Sequence, residues 1–241
     1  MHHIQWHYRR RFASPVTTGD PLPHTGEGVH MIDIEKSFGA ATAAFLQKLP
    51  SVMDCIAELN SADVRIVRVS GHVGSWDPRT KFLRIGRRCS RSLVAITLLH
   101  ENHHRKEPSL LPAFGRISRA QWVKRQIGIE VNAIMEEFKA IEQIKQIGGK
   151  LTERELEWYV LYRRQGKKAL HAKMKSTITS NTFERYPDYY GAMFDDLQKD
   201  HAKHCGNRAG CKAGVDHFAN IERHMAYIRR RNRELGLGDD I

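Results

Sequence analysis

Cysteine is scarce in this chain: it has four, and only Cys205 and Cys211 lie close together. That scarcity excludes the disulfide-dense class of small secreted scaffolds. No apolar run is long enough to cross a membrane, and the opening residues lack the apolar core of a secretory signal. We therefore expect a chain that is made in the cytoplasm without a cleavable signal, and export by a specialised secretion system stays open.

Acidic residues are outnumbered by basic ones, 27 against 39, which gives a formal net charge of +12. Such an excess attracts polyanions, so the expected partners include an anionic surface and nucleic acid. The 241 residues, 41% of them hydrophobic, are enough to bury one sizeable core. This size and charge also fit a small secreted or injected effector or toxin. The oligomeric state is not readable from the sequence.

The hydrophobic periodicity predicts an α+β fold that is mostly helical. Residues 1–30 mix His, Arg, Pro and Gly without a period and predict an irregular arm; one hypothesis is that this arm occupies a cleft of the core. Residues 31–150 are expected to form the core, and 151–241 a helical extension packed on it. In the core, Asp33 can cap a helix that runs to Pro50, and a short helix follows at about 51–59.

A change of period marks the only predicted strands. The β-branched run at 64–69 and the apolar run at 82–85 flank a loop with Gly, Asp and Pro, which predicts a β-hairpin. Ser90 or Ser92 can cap the next helix, which should end before Pro108. Further helices are predicted at about 121–147, from the Thr152–Glu155 capping box to about 176, and at about 188–204 and 216–235.

The sequence His100-Glu101-Asn102-His103-His104 is an H-E-x-x-H motif at the end of a helical pattern. Two imidazoles four residues apart project from one helix face, so His100 and His104 can share a tetrahedral zinc ion. Glu101 lies about 100° further round the helix and can take a proton from a water molecule on that ion. His103 is an adjacent spare that we expect to face solvent or to support a ligand.

A hydrolytic zinc site needs a third protein ligand. Glu130 is the first choice because it interrupts the apolar face formed by Ile127 and Ile134, where an unpaired carboxylate would be costly. Glu137 falls on nearly the same stripe and competes with it, and Glu136 is a weaker third.

With these residues the region 60–140 resembles the gluzincin class of zinc metallopeptidases, and within it the compact bacterial and phage-type families. The likeness is strong at HENHH and weaker at Glu130-Val131-Asn132-Ala133. The resemblance implies two His and a downstream Glu as ligands, Glu101 as general base, and a peptide or protein substrate. It also implies that the strand before the motif helix, residues 82–85, is an edge that pairs with substrate backbone.

Two features stay open. The class usually supplies an oxyanion-stabilising group, for which the sequence offers only the candidates Tyr186, Tyr189, Tyr190 and His171. The soft-ligand set near the C-terminus fits a second zinc, a disulfide or unlinked loop residues; its members are His201, His204, Cys205, Cys211 and His217.

The sequence therefore predicts a zinc-dependent metallopeptidase. The alternatives are a metal-dependent nuclease and a catalytically silent nucleic-acid-binding protein, both suggested by the charge. Nuclease sites with similar His and Asn residues are built on a hairpin and a short helix, whereas this motif ends a long helix with an apolar face.

Overall fold

A computed structural model describes residues 31–70, 74–78, 80–107, 117–179 and 184–205. Within these ranges the chain is mostly helical with one small sheet, so the predicted α+β fold class is confirmed. The arm 1–30, the helix predicted at 216–235, and Cys211 and His217 of the C-terminal soft-ligand set lie outside the described residues. The elements are α1 (Ile34–Phe38), α2 (Ala40–Leu46), α3 (Pro50–Ser61), β1 (Arg65–Val69), β2 (Gly74–Asp77), β3 (Phe82–Gly86), α4 (Arg91–Lys106), α5 (Arg119–Gln146), α6 (Glu153–Ser176) and α7 (Tyr186–Cys205).

The first predicted helix is two short helices. Asp33 caps α1 as expected, since its side chain accepts a hydrogen bond from the Lys36 amide at 2.9 Å. Gly39 then adopts φ 82°, a conformation that L-residues with side chains rarely take, and the helix breaks there. The apolar spacing is continuous across the break, which is why the pattern alone predicted a single helix.

The predicted hairpin between residues 64–69 and 82–85 is wrong. The strands β1 and β3 are neighbours, but they run parallel, with Ile66 opposite Leu83. The residues between them form β2, which pairs antiparallel with β3, so the sheet order is β1-β3-β2. Consequently the strand before the motif helix is the central strand, and the prediction that residues 82–85 form an edge is also wrong.

Helices α4 and α5 form the centre of the molecule. Ser90 caps α4, and its hydroxyl accepts a hydrogen bond from the Leu93 amide at 3.0 Å. Ser118 and Gln121 form a capping box that starts α5. Between the helices the chain buries Leu98, Val131 and other apolar residues completely, within a cluster that extends from Ile32 to Leu197.

Helices α6 and α7 pack on α5. The predicted capping box at Thr152 is present, and α6 is kinked at Gly166, where φ is 73°. Trp122 of α5 contacts Tyr190 and Phe194 of α7 with ring centroids 6.1 and 5.8 Å apart. Among the described helices, none is both long and apolar enough to span a membrane.

Candidate metal centre

The motif helix places His100 and His104 on a face that is partly covered. Ile96 and Thr97, one turn earlier, are almost fully buried. The two imidazoles are 21% and 23% exposed, so they lie at the border between the core and solvent. The Nε2 atoms of the two rings point at each other and are 3.0 Å apart.

Helix α5 brings Glu130 to the same point. Its Oε2 is 3.9 Å from His100 Nε2 and 3.7 Å from His104 Nε2. The donor atoms of these three residues lie close enough together to share one metal ion. Within the described part of the chain, they are the group of possible ligands for which this holds. Glu130 is 12% exposed, and it is held on an otherwise apolar face between Ile127 and Ile134, as the sequence pattern required.

The spacing of the three donor atoms fits a tetrahedral zinc ion. Zinc–ligand distances of about 2.0–2.2 Å place neighbouring ligand atoms of a tetrahedron about 3.3–3.5 Å apart. The observed separations of 3.0, 3.7 and 3.9 Å differ from these values by a few tenths of an ångström. Small side-chain adjustments would therefore close the site, with a fourth position left for water or substrate.

Glu137 contacts the second ring nitrogen of His100, Nδ1, which faces away from His104 and Glu130. Its carboxylate oxygen is 2.6 Å from His100 Nδ1, so the Nδ1–H donates to Glu137 and the Nε2 atom faces His104 and Glu130. A carboxylate in this position fixes the tautomer and orientation of a metal-binding imidazole. Glu136, the third candidate, instead pairs with Lys139 at 2.6 Å. The geometry thus separates the three glutamates that the sequence left in competition.

Helix α7 also reaches the cluster. The Tyr190 hydroxyl donates to Glu130 Oε1 at 2.5 Å, which leaves Oε2 facing the histidines. Tyr190 is 8% exposed and packs against Trp122 of α5. The orientation of Glu130 therefore depends on a residue 60 positions further along the chain.

Glu101 is buried beside the cluster and is held by the edge strand β2. Its side chain is 8% exposed and accepts a hydrogen bond from the Trp76 backbone N–H. A Cβ at Gly74 would lie 3.0 Å from Glu101 Oε1 and 2.2 Å from Thr97 Cγ2. Only glycine at this position allows β2 to approach α4 so closely.

The cluster carries an excess of carboxylates that acts on its neighbours. Burial by itself lowers the pKa of His100, but the hydrogen bond to Glu137 and the charges of Glu137, Glu101 and Glu130 outweigh it and raise the pKa to about 9. Burial raises the pKa of Glu101, and the nearby imidazoles of His100 and His104 partly offset that rise. Three acids around two histidines make a site with a strong electrostatic preference for a cation.

The two remaining motif residues have structural contacts. Asn102 is 3% exposed, donates to Glu58 of α3 at 2.7 Å and accepts from Arg105. The side chain of His103 is only 11% exposed, so it does not face solvent, and its Nε2 is 3.5 Å from the Glu107 carboxylate. His103 is not a member of the donor cluster.

The candidate oxyanion-stabilising residues Tyr186 and His171 lie in different surroundings. Burial raises the pKa of the Tyr186 hydroxyl well above its usual range, and so do the charges of Glu130, Glu101 and Glu137. Tyr186 thus lies in the field of all three carboxylates, and its hydroxyl has no hydrogen-bond partner among the described residues. His171, by contrast, is surrounded by lysines on the α6 side of α5.

No family model, no curated protein and no solved structure matches this chain. Its chemistry must therefore be argued from the geometry of the cluster. That geometry includes contacts that the sequence did not reveal: the Glu137–His100 bond, the Tyr190–Glu130 bond and the Trp76 amide on Glu101. The Tyr190 and Trp76 contacts connect separate elements and leave no local signal.

Proposed function

We propose that the chain is a zinc-dependent metallopeptidase. The observation that carries the proposal is the convergence of His100, His104 and Glu130 at zinc-ligand spacing, with the buried carboxylate of Glu101 beside them. Zinc held by these three residues would supply a Lewis acid and lower the pKa of a water molecule in the cleft.

The carboxylate of Glu101 is placed to move the proton. It takes a proton from the attacking water and returns it to the departing amine, as a general base and then a general acid. The amide of Trp76 holds the carboxylate beside the cluster by a hydrogen bond. Glu137 and Tyr190 hold His100 and Glu130 so that His100 Nε2 and Glu130 Oε2 face the same point.

Substrate backbone would pair with β2 rather than with the central strand β3. Among the described residues, β2 has a strand neighbour on one side only, and the Trp76 amide on its other side points toward Glu101. An extended peptide added to that edge passes directly in front of the general base.

We assign Tyr186 as the hydrogen-bond donor to the carbonyl oxygen of the substrate. Tyr186 packs against Tyr190, the partner of Glu130, with ring centroids 6.0 Å apart, and its hydroxyl lies in the field of the three carboxylates without a hydrogen-bond partner among the described residues. Tyr186→Phe should lower kcat by about 10²–10³-fold, as for loss of one oxyanion donor, while zinc content stays unchanged. Tyr189→Phe, a neighbouring buried tyrosine, is the matched control. Full activity in Tyr186→Phe would refute the assignment.

The decisive experiment combines metal counting with peptide cleavage. We expect one zinc per chain, loss of that zinc in His100→Ala, and its retention in His103→Ala. Glu101→Gln should keep the zinc but abolish cleavage of a mixed peptide library, whereas Glu107→Gln, an exposed glutamate directly after the same helix, should cleave normally. Nucleic-acid cleavage that depends on Glu101, without peptide cleavage, would support the nuclease alternative instead.

A further inference from the structure

The groove between α5 and α6 has a defined register. The two helices run antiparallel: Phe138 packs on Tyr162 with ring centroids 5.2 Å apart, and Asn132, further back on α5, accepts a hydrogen bond from Lys167 Nζ at 2.8 Å. Residues before Asn132 therefore face residues after Lys167.

Four basic side chains line that part of the groove. His171 and Lys175 follow Lys167 at intervals of four residues and so lie on one face of the helix. Burial lowers the pKa of the His171 imidazole, and the positive charges of Lys167, Lys175 and Lys124 lower it further. Lys124 therefore approaches the same imidazole from α5. We call Lys124, Lys167, His171 and Lys175 the basic groove.

The charge of the basic groove is not neutralised by the described part of the protein. None of its three lysines forms an ion pair with a described carboxylate. Five of the other described lysines form ion pairs with acids: Lys81, Lys106, Lys139, Lys173 and Lys199. Three exposed ammonium groups whose charges all act on one imidazole repel each other, and an anionic ligand would relieve that repulsion.

The floor of the groove is open. Gly128 of α5 lies between Lys124 and Asn132, and a Cβ built on it would meet nothing within 4 Å. The large apolar side chains that are exposed in the described chain all lie outside the groove, at Met31, Ile147, Val160 and Ile178.

This combination favours a phosphate backbone over an acidic protein as the ligand. Protein interfaces depend on apolar and aromatic anchors at their centre, and the basic groove has none. Lysines along a phosphate backbone need no such anchor, because binding comes from charge neutralisation and counterion release.

We propose that the basic groove binds the phosphate backbone of a nucleic-acid strand, without sequence preference. The groove is on the α6 side of α5, whereas Glu130 and Glu137 face α4, so this binding is separate from the proposed peptidase centre.

Binding can be tested by fluorescence anisotropy with a labelled single-stranded oligonucleotide of mixed sequence over a range of NaCl concentrations. The groove variant is Lys124→Gln/Lys167→Gln/Lys175→Gln. The control is Lys36→Gln/Lys48→Gln/Lys150→Gln, which has the same net charge and alters three other exposed lysines. We expect the groove variant to bind at least about tenfold more weakly at low salt, with a log–log salt slope smaller by about 2, and the control to bind nearly as the unmodified chain does.

Several outcomes would overturn the proposal. An equal loss in the groove variant and the control would mean that net charge alone drives binding. Loss of binding in His100→Ala would move the contact to the metal centre. Polyglutamate bound as tightly as the oligonucleotide would assign the groove to acidic protein. Circular dichroism checks that the variants fold. If the triple variant unfolds, Lys124→Gln/Lys175→Gln replaces it, because this double variant leaves the Lys167–Asn132 contact intact. Its log–log salt slope of binding should be smaller by about 1.4.

Discussion

Gly74 controls how closely the edge strand approaches the motif helix, and its replacement by alanine tests that contact directly. A Cβ at this position would lie 2.2 Å from Thr97 Cγ2, whereas carbon atoms in contact are normally about 3.5–4.0 Å apart. Either β2 must retreat by more than about 1 Å, or Thr97, which is 3% exposed, must rotate within a packed core. Overpacking of this kind costs about 1–3 kcal/mol.

Stability is measured by urea unfolding of the metal-free protein, and peptide cleavage is measured separately on the zinc-loaded protein. We expect Gly74→Ala to lower the free energy of unfolding by about 1–3 kcal/mol, and cleavage to fall further, because Glu101 would also be displaced. Gly128→Ala is the control: it adds a methyl group where nothing lies within 4 Å, inside a helix, and should stabilise by about 0.5–1 kcal/mol.

The second step is a double-mutant cycle. Thr97→Ser removes the methyl group that the new Cβ would meet, so it should recover much of the stability lost in Gly74→Ala, with a coupling of about 1 kcal/mol or more. A neutral Gly74→Ala, or an absence of coupling with Thr97→Ser, would show that β2 does not lie against α4 as described.

Three further predictions concern the site and its support. Zinc affinity measured by chelator competition should fall more in Glu130→Ala than in Glu137→Gln. The expected loss in Glu137→Gln is about tenfold, as is typical of a residue that supports a ligand, and Glu136→Gln should leave the affinity unchanged. A larger loss in Glu137→Gln than in Glu130→Ala would exchange the roles of the two residues. Asn102→Ala should lower the free energy of unfolding by about 1–3 kcal/mol in urea while one zinc is still bound, because the buried amide joins α4 to α3. Burial raises the pKa of the Cys55 thiol to about 12, so only about one molecule in ten thousand carries a thiolate at pH 8. Mass spectrometry should therefore find Cys55 alkylated by iodoacetamide in urea but not in the folded chain.

Local patterns predicted most of the helices and the position of the ligand candidates. Caps at Asp33, Ser90 and Thr152 and the interrupted apolar face around Glu130 are short-range signals, and each appears in the structure. His100 and His104 meet because the helical repeat alone places them on one face.

Features that depend on tertiary packing could not be predicted in this way. Strand β2 has the sequence Gly-Ser-Trp-Asp, which has no β-branched residue and forms a strand only because β3 and α4 accept it. Because β2 comes between β1 and β3 in the chain and runs antiparallel to β3, the chain direction reverses twice and β1 and β3 pair in parallel. The break at Gly39 and the kink at Gly166 depend on positive φ values, which an isolated glycine permits but does not require.

The bond from Tyr190 to Glu130 fixes when the centre can be completed during synthesis. The ribosome releases the chain from the N-terminus, so α4 and α5 emerge well before the helix that carries Tyr190. A nascent chain that ends before α7 therefore exposes a carboxylate without its hydroxyl partner. The finished arrangement becomes available only after nearly the whole described chain has been translated.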